Sequence, residues 1–430
     1  MKFVSDLHIH SKFSRATSRD MTLDTLVYWA KIKGISLLGT GDFTHPEWLF
    51  LCKEKLEPLG NGFFRLKQIL PSENEYLSKI SVKREDVSFV LTAEISFIYS
   101  KMGKVRKIHL LLLAPDFETV EKINAKLTGI GNLSSDGRPI LGMDVKDFVK
   151  MVADHAPGSV VIPAHIWTPR FSLFGANSGF DTIEECFEEM TPFIFALETG
   201  LSSDPSMNWR LSKLDKYTLV SNSDAHSPSK IGREGNVFNI DFNFSSLIEA
   251  IKRKDPARFL NTVEFFPQEG KYHFDGHRKC NVVFSPQETI RRDFICPECG
   301  KKLTIGVMHR VEELSDQDPE GKFPQRIPFR NLIPLNEIIG QAVEKSSDCR
   351  SVWDVYFRFI NAFKDEQTIL CDVPIPELQR ISPERVGLGI ERMRKGQVNI
   401  LPGHDGCFGK ISLFDDDLEK QEEKDQLNLF

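Results

Sequence analysis

Histidine and carboxylate side chains recur at the ends of short apolar runs in the N-terminal part of this 430-residue chain. Imidazole and carboxylate groups together can hold two or three divalent cations in a hydrolytic site. Any one such residue is more often a hydrogen-bonded structural group, but their repetition favours a metal centre. The predicted ligands are His8, His10, Asp42, Glu94, His109, His165, Glu198, Asp224 and His226. Among them we expect His165, Asp224 and His226 to take part in catalysis.

These side chains need strands that end close together. The apolar runs alternate with amphipathic stretches, and continuous Val, Ile and Leu is typical of parallel strands buried on both faces. Seven such runs with intervening helices favour an α/β barrel, in which the active site lies at the carboxyl ends of the strands. We place Asp42 and Glu94 at the ends of the second and third strands. One helix is predicted between Thr22, as its N-cap, and Gly34, as its C-terminal stop.

A second metal-binding pattern follows the barrel region. His277 and Cys280 precede the pair Cys296 and Cys299 with a spacing typical of a tetrahedral zinc site. A closed site of four protein ligands is structural, and zinc would stabilise a module too small for a core of its own. His273 competes with His277 for the histidine position. The other cysteines are scattered, and we expect them to be core or incidental thiols.

Composition and charge narrow the class of protein. The net charge is −6, and residues 415–425 carry −5 of it from seven acids and two lysines, which leaves about −1 for the rest. A near-neutral body lacks the basic pI typical of nucleic-acid-binding domains, although a local basic groove is compatible with it. No apolar run is long enough to span a bilayer and the N-terminus turns polar at once, so we expect a cytoplasmic protein with no membrane partner.

The length predicts more than one domain. A break in the pattern separates the barrel, residues 1–262, from the zinc module, residues 263–308. Helical patterns dominate residues 309–414, with a strand, a Gly-rich turn and a strand at the end. Residues 415–430 form an acidic tail that we expect to be disordered.

The predicted ligands lie in motifs that resemble those of the PHP (polymerase and histidinol phosphatase) superfamily. The motifs are His8-Ile9-His10-Ser11, Gly41-Asp42, Glu94, His109, His165 and Ser223-Asp224-Ala225-His226. The resemblance implies a distorted seven-stranded barrel with a trinuclear phosphoesterase site over roughly residues 1–255. The chain departs from the superfamily pattern in two places. Ser14 and Arg15 stand where an acid or histidine is common, and Phe43 follows Asp42, so His45 and Asp20 stay open as the residue completing the site.

A closer resemblance is to the endonuclease Q family of PHP nucleases. It is carried by DLHIHSKFS, GTGDFTHPEW, SSDGRP, IPAHIWTP, LETGLSSD and SNSDAHSPSKIGREGN, and it extends into the cysteine module and the C-terminal part. It implies a DNA repair enzyme that cuts 5′ to uracil, hypoxanthine, xanthine or an abasic site and leaves 3′-hydroxyl and 5′-phosphate ends. Double- or single-stranded DNA would be the partner. The implied cofactors are zinc, with magnesium or manganese for activity.

Two loops are candidates for contact with that DNA. Trp167, Arg170 and Phe171 follow the ligand His165, and an aromatic ring with an arginine can stack on an extruded base. A hydrophobic plug for the loop is the alternative. The Gly-rich turn from Pro402 to Lys410 permits close backbone approach to a phosphate, and a plain turn is the alternative. Its predicted DNA-contacting residues are Gly403, Gly406 and Lys410.

The last residues, Gln426-Leu427-Asn428-Leu429-Phe430, resemble the peptide by which bacterial replication and repair proteins bind the DNA sliding clamp. Leu429 and Phe430 would fill an apolar pocket, and Gln426 would hydrogen-bond at its edge, with Leu427 beside them. The acidic stretch before them would act as an extended tether. We therefore expect a nucleoid-associated monomer that binds the clamp.

Two other functions compete with the repair endonuclease. A small-molecule phosphatase of the histidinol-phosphate type needs only the barrel, and the added domains speak against it. A non-catalytic scaffold tethered to the clamp needs no metal ligands, and the nearly complete ligand set speaks against that.

Overall fold

The computed structural model describes residues 1–318, 326–381 and 384–414, and these form two compact units. The first unit contains residues 1–31 and 35–264 and the described part of 305–330. The second contains residues 32–34 and 265–304 and the described residues from 331 onward. The α/β class is confirmed. The domain limits inferred from the sequence stay a prediction, and the acidic tail with its terminal peptide lies outside the described residues.

Strands and short helices alternate through the first unit. In chain order they are β1 (Lys2–Asp6), α1 (Leu23–Lys33), β2 (Leu37–Gly39), α2 (Pro46–Lys55), β3 (Leu56–Pro58), β4 (Phe64–Leu66), β5 (Ser88–Lys101), β6 (Lys104–Ala114), α3 (Phe117–Leu127), β7 (Ile140–Leu141), α4 (Val145–His155), β8 (Val160–Pro163), α5 (Ile183–Phe187), β9 (Ala196–Glu198), α6 (Pro205–Asn208), β10 (Thr218–Val220), β11 (Gly235–Asn239), α7 (Phe244–Arg253) and β12 (Phe259–Glu264).

The remaining elements are mostly helical. They are β13 (Asp275–His277), β14 (Val282–Phe284), α8 (Pro286–Arg291), α9 (Val307–Leu314), β15 (Phe329–Asn331), α10 (Leu335–Ala342), α11 (Arg350–Phe363), α12 (Glu366–Cys371), α13 (Ile375–Ile381), α14 (Glu384–Arg394), β16 (Asn399–Leu401) and β17 (Lys410–Ser412). The predicted strand, turn and strand after the last helix is confirmed. Of the helices in the described ranges, none is both long and apolar enough to cross a bilayer.

The main sheet is mixed. Its strands follow the order β15-β12-β11-β1-β2-β5-β4-β3, and β6, β7 and β8 attach through β5 and β6. The neighbours β1, β2 and β5 are parallel, whereas β1 and β11 are antiparallel. The strands β9 and β10 form a separate parallel pair. Within the described ranges, hydrogen bonding therefore does not close the sheet into a ring, and the predicted barrel is not confirmed.

The strand that carries Glu94 is much longer than its apolar pattern suggests. β5 has 14 residues and pairs with β6 in an antiparallel hairpin that turns at Met102 and Gly103. The prediction that Glu94 ends its strand is wrong, because the strand continues past it into the hairpin. Glu94 and His109 reach the centre of the unit from the middle of two paired strands instead.

The first predicted helix is confirmed with its two end signals. The Oγ1 of Thr22 accepts a hydrogen bond from the amide of Thr25, and Gly34 has a φ of 80° directly after α1. Only a residue without a side chain adopts that left-handed conformation at no cost. The helix packs Leu26, Val27 and Ala30 into the buried core. It thus holds the segment between β1 and β2, which supplies the first ligands.

Candidate active site

Four of the predicted ligands converge on one point in the first unit. His8 and His10 follow β1, Glu94 comes from β5, and Asp224 follows β10, and one ligand atom of each lies within 4.8 Å of all the others. Nε2 of His8 is 3.7 Å from carboxylate oxygens of both Glu94 and Asp224. Nε2 of His10 is 2.9 Å from Oδ1 of Asp224. These atoms have the composition and spacing of a single cation site.

A second group adjoins the first and shares Glu94 with it. Oε1 of Glu94 is 2.6 Å from Nδ1 of His109 and 2.9 Å from Nε2 of His165, while Oε2 faces the first group. Nδ1 of His109 is 3.2 Å from Nε2 of His165. A carboxylate that faces two adjacent ligand groups is the arrangement of sites that hold two cations for an in-line displacement.

The chemistry of the donor set fits divalent cations. Nε2 of His8 is buried and has no hydrogen-bond partner among the described residues. Burial opposes protonation of His8 and His10, yet the carboxylates around them raise the pKa of both well above the usual value. Burial opposes ionisation of Glu94, yet His109, His8 and His10 hold its pKa well below the usual value. This field of buried carboxylates attracts positive charge, which a divalent cation supplies more effectively than protons.

Two predicted ligands lie behind the histidines rather than among the converging atoms. Nδ1 of His8 is 3.0 Å from both oxygens of Glu198, and Nδ1 of His10 is 3.0 Å from Oδ1 of Asp42. Each carboxylate thereby fixes the ring so that Nε2 faces the cation sites, which is the usual arrangement behind metal-bound histidine. The geometry favours a positioning role for Asp42 and Glu198 in place of the direct ligation that we predicted.

Asp42 is itself held by a dense set of donors. Its Oδ2 accepts from the amide and hydroxyl of Ser11 at 2.6 and 2.7 Å and from the hydroxyl of Ser14 at 2.9 Å. Gly137 packs so closely that a Cβ there would overlap Asp42 and Ser14. Ser14 therefore supports the carboxylate that contacts His10.

The residues proposed to complete the site lie elsewhere. His45 is buried, caps the start of α2 and stacks on Phe13 with ring centres 4.4 Å apart. Asp20 is exposed on the loop before α1. Neither belongs to a ligand group that the described residues form. His226 also lies outside those groups, with its ring centre 4.6 Å from that of His10.

Three site residues have left-handed backbone conformations that are unfavourable for side chains other than glycine. The φ angles are 51° at Asp42, 28° at His165 and 47° at Asp224. Gly200 lies against His165, where any Cβ would overlap the histidine. Such strain is held in place by the surrounding structure and is common in functional sites. Two of these residues, His165 and Asp224, belong to the ligand groups, and Asp42 contacts His10 from behind.

Comparison with known proteins extends over the whole chain. Residues 334–397 match the family model described as MJ0043 C-terminal domain. The protein MJ0043 of Methanocaldococcus jannaschii is 35% identical over 255 residues, which are 57% of this chain and 31% of that protein, so the match spans about a third of the archaeal relative. The protein YqxK of Bacillus subtilis is 30% identical over 424 residues, which are 95% of this chain and 99% of the relative.

Two solved structures resemble the chain from end to end. The lesion-specific endonuclease PfuEndoQ from Pyrococcus furiosus has a TM-score of 0.83 and 29% identity, with 97% of each chain covered. Endonuclease Q in complex with a 27-mer duplex carrying an abasic lesion at the active site has a TM-score of 0.82 and 30% identity, with 97% of this chain and 98% of that one covered. The chain belongs to the endonuclease Q family. The resemblance inferred from the sequence is thereby confirmed.

One arginine lies at the site of this endonuclease Q family member, although the sequence patterns did not predict it. Nη1 of Arg138 lies 2.9 Å from Oε2 of Glu94, and its side chain is 24% exposed. Oδ1 of Asp136 accepts from the amides of Arg15 and Arg138, which joins the two loops that carry these arginines. The Asp-Gly-Arg sequence marks a turn and not a strand end, so a search of strand ends passes over it.

The loop after His165 has some side chains in the core and others near the site. Trp167 is 1% exposed and its Nε1 donates to Oδ1 of Asn208 at 2.8 Å, so a base cannot reach it and the prediction that it stacks on one is wrong. Phe171 is half-buried, with its ring centre 4.7 Å from that of His109 and 5.4 Å from Nζ of Lys107. Arg170 is exposed beside it. Of the three residues predicted to contact a base, Phe171 and Arg170 are therefore the accessible ones.

The second unit brings together the four residues predicted to bind zinc. One ligand atom of each of His277, Cys280, Cys296 and Cys299 lies within 4.8 Å of the others. The hairpin of β13 and β14 supplies the first pair, and a turn closed by Gly300, with a φ of 68°, supplies the second. Burial opposes ionisation, but backbone amides and His277 lower the pKa of Cys296 to about 7. Thiolate sulfur of this kind is what zinc requires.

His273, the competitor for the histidine position, lies outside this group. It is buried and stacks on Phe274, and burial lowers its pKa to about 4. The apolar core of the module is small, since the cluster consists of Val282, Cys296 and Leu303 with Cys280 and Phe284 packed against it. A core of this size is consistent with stabilisation by a metal ion.

Proposed function

We propose that the protein is a DNA repair endonuclease that hydrolyses the phosphodiester bond 5′ to deaminated bases or abasic sites. Uracil, hypoxanthine and xanthine would be its base lesions, and the products would carry 3′-hydroxyl and 5′-phosphate ends. Membership of the endonuclease Q family supports this activity. The related structure that contains a duplex with an abasic lesion supports DNA as the substrate.

The proposal rests on one observation, namely that the carboxylate of Glu94 faces both ligand groups. His8, His10 and Asp224 would complete the first cation site, and His109 and His165 the second. Zinc, with magnesium or manganese for activity, would activate water and stabilise the charge on the leaving oxygen. Glu198 and Asp42 hold the histidine rings in the required orientation through their Nδ1 atoms.

His226 is suited to proton transfer beside these groups. Its Nδ1 donates to the backbone carbonyl of Asp224 at 2.8 Å, so Nε2 presents a lone pair. Burial and then the neighbouring His10 lower its pKa, which keeps the ring neutral near pH 7. A neutral imidazole that is 31% exposed can take a proton from water or return one to the leaving group.

Two arginines at the mouth of the site are suited to the substrate phosphate. Arg15 is 77% exposed, and Arg138 is fixed beside Glu94. Arginine binds phosphate oxygens with two parallel hydrogen bonds and so orients the group as well as attracting it. Phe171 and Arg170 would contact the extruded base. Extrusion costs least at lesions because deaminated bases pair poorly. In the second unit, Lys410 would contact the DNA backbone. The predicted contacts of Gly403 and Gly406 are not retained, because Gly403 is buried and both amides donate to backbone carbonyls within the protein.

The test uses labelled duplexes with a single deoxyuridine, deoxyinosine, deoxyxanthosine or abasic site, beside undamaged duplex and a phosphomonoester. With Mg²⁺ or Mn²⁺ we expect nicking on the 5′ side of each lesion and none in the undamaged duplex. Asp224→Asn should abolish it because the first group loses a ligand. Phosphate release without nicking, or nicking at all sequences alike, would contradict the proposal.

We also propose that Gln426, Leu427, Leu429 and Phe430 bind the sliding clamp and bring the monomeric enzyme to chromosomal DNA in the cytoplasm. Deletion of residues 426–430 should leave nicking of a short oligonucleotide intact and abolish co-purification with the clamp. Clamp binding that survives the deletion would overturn this assignment. The matched control deletes residues 418–422 of the same tail, which keeps the terminal peptide.

A further inference from the structure

A pair of aromatic rings with a shared lysine lies on the surface of the second unit. Phe408, in the turn between β16 and β17, is 77% exposed, more than any other large apolar side chain in the described ranges. Tyr272 is 38% exposed. Nζ of Lys271 lies 5.6 Å from the ring centre of Phe408 and 5.8 Å from that of Tyr272. A lone exposed apolar residue needs no explanation, but two rings around one ammonium form a chemically defined surface.

The turn that presents Phe408 is fixed by hydrogen bonds. In the turn, three backbone amides donate to backbone carbonyls of residues 268–271 at 2.8 to 3.0 Å. These are the amides of Gly403, Gly406 and Gly409. The carboxylate of Asp405 accepts from the amide of Arg278 at 2.7 Å and from the hydroxyl of Thr304 at 2.6 Å. Phe408 is therefore exposed on a turn that hydrogen bonds hold in place.

The segment that carries Lys271 and Tyr272 has an excess of exposed cations. Every lysine and arginine of residues 265–304 is exposed, and only three of the acids there are. The cations are Lys271, Arg278, Lys279, Arg291, Arg292, Lys301 and Lys302, and the exposed acids are Glu288, Asp293 and Glu298. The two exposed rings and the ammonium of Lys271 beside them match the two parts of a nucleotide, since the base has a π face and the phosphate is negative.

We propose that Phe408, Tyr272 and Lys271 form a stacking site for an unpaired base of the DNA substrate. This inference rests on the proposed function and extends it to the second unit. Phe408 would stack on the face of the base, Tyr272 would flank it, and Lys271 would bind the attached phosphate. The rigid turn lowers the entropy lost on binding because the ring is already presented. The site would favour DNA in which a lesion has left a base without a partner.

The test compares full-length wild type with Phe408→Ala and Phe408→Trp, and uses Phe193→Ala as a matched control. Phe193 is 52% exposed and lies three positions before the start of β9, whose other end is Glu198. The probe is a duplex with one abasic site and 2-aminopurine opposite it. Removal of one stacking ring should weaken binding by about 5- to 100-fold, by anisotropy. The protein-dependent change in 2-aminopurine fluorescence should be lost with Ala and retained with Trp.

The control variant should bind as wild type does. All three variants should unfold at the wild-type temperature, because none of the replaced side chains is buried. Unchanged affinity and fluorescence in Phe408→Ala would overturn the stacking site. Nicking assays on the same samples separate the two proposals. Weaker binding by Phe408→Ala together with lesion-independent nicking by wild type would overturn the proposed function and support the stacking site.

Discussion

The backbone amide of His165 donates a hydrogen bond to Oε2 of Glu198 at 2.8 Å. The same carboxylate contacts Nδ1 of His8 at 3.0 Å. Glu198 thus fixes one histidine of each ligand group from behind, and it is fully buried. The two groups are coupled on one side by the shared ligand Glu94 and on the other by Glu198. This arrangement predicts that distances between the cation sites depend on residues that touch neither cation.

Glu198→Gln should lower kcat by about 10- to 100-fold, the usual effect of losing an orienting carboxylate behind a metal-bound histidine. The fold should persist, since glutamine fills the same volume and can still accept from the His165 amide. Steady-state nicking rates with Mn²⁺ check this. Glu118→Gln, whose side chain is 77% exposed on α3, is the matched control. A variant with the wild-type rate would show that Glu198 has no orienting role.

Glu94→Ala should remove cations from both groups, whereas Asp224→Ala and His109→Ala should each affect one. The reason is that Glu94 alone belongs to both groups of converging atoms. Metal content per chain, measured by mass spectrometry after dialysis, distinguishes the variants. Equal metal loss in all three variants would contradict the shared-ligand arrangement.

Arg138→Ala should raise KM for lesion DNA by about 10- to 100-fold, because hydrogen bonds to charged groups contribute about 1.5 to 3 kcal/mol. Arg138→Lys should restore part of the loss, since it keeps the charge without the planar fork. The control is Arg253→Ala, at the exposed end of α7. If Arg138→Ala lowers kcat and leaves KM unchanged, Arg138 acts through Glu94 instead of binding phosphate.

Stability should fall with rising pH on account of Glu264. Burial raises the pKa of this carboxyl to about 8 from an ordinary value of 4.5. Between these two values the unfolded chain has released the proton and the folded chain retains it, so stability falls by up to about 1.4 kcal/mol per pH unit. Glu264→Gln removes this term and should gain stability over wild type from pH 5 to 8, measured by urea unfolding. An unchanged pH slope in the variant would contradict the prediction.

Replacement of Cys296, a predicted zinc ligand, should unfold the cysteine module, because its apolar core is small and zinc contributes about 10 to 16 kcal/mol in peptide models. Cys296→Ser should lose one zinc per chain and become sensitive to protease within residues 265–304. Cys349→Ser is the control, since that thiol lies outside the metal groups of the described chain. Normal zinc content and protease resistance in Cys296→Ser would refute the zinc assignment.

The residue types of the site could be predicted from the sequence because each follows or lies in an apolar run. His8, His10 and Asp224 follow strands, as expected of an α/β protein, and they converge. The roles were less predictable. Asp42 and Glu198 face Nδ1 of a histidine whereas Asp224 faces Nε2, and no linear pattern encodes that.

The direction of the strands and the burial of single side chains were also not predictable from the sequence. Continuous apolar runs indicate burial but not strand direction, so the antiparallel pairing of β5 with β6 was missed and Glu94 was placed at a strand end. Trp167 was expected to contact a base because it follows the ligand His165 on a loop at the expected active face. Its indole is held by Asn208, a contact between residues 41 positions apart. Arg138 was missed because its loop has no apolar run to mark it.

The left-handed conformations of Asp42, His165 and Asp224 have an evolutionary consequence. Glycine at any of these positions would relieve backbone strain by about 1 kcal/mol or more, and it would also delete the side chain on which the site depends. Substitutions that stabilise the backbone at these residues would therefore remove side chains that the activity needs. A descendant freed from the need to cut DNA should acquire glycines there early, and such glycines in a relative would mark it as a former enzyme.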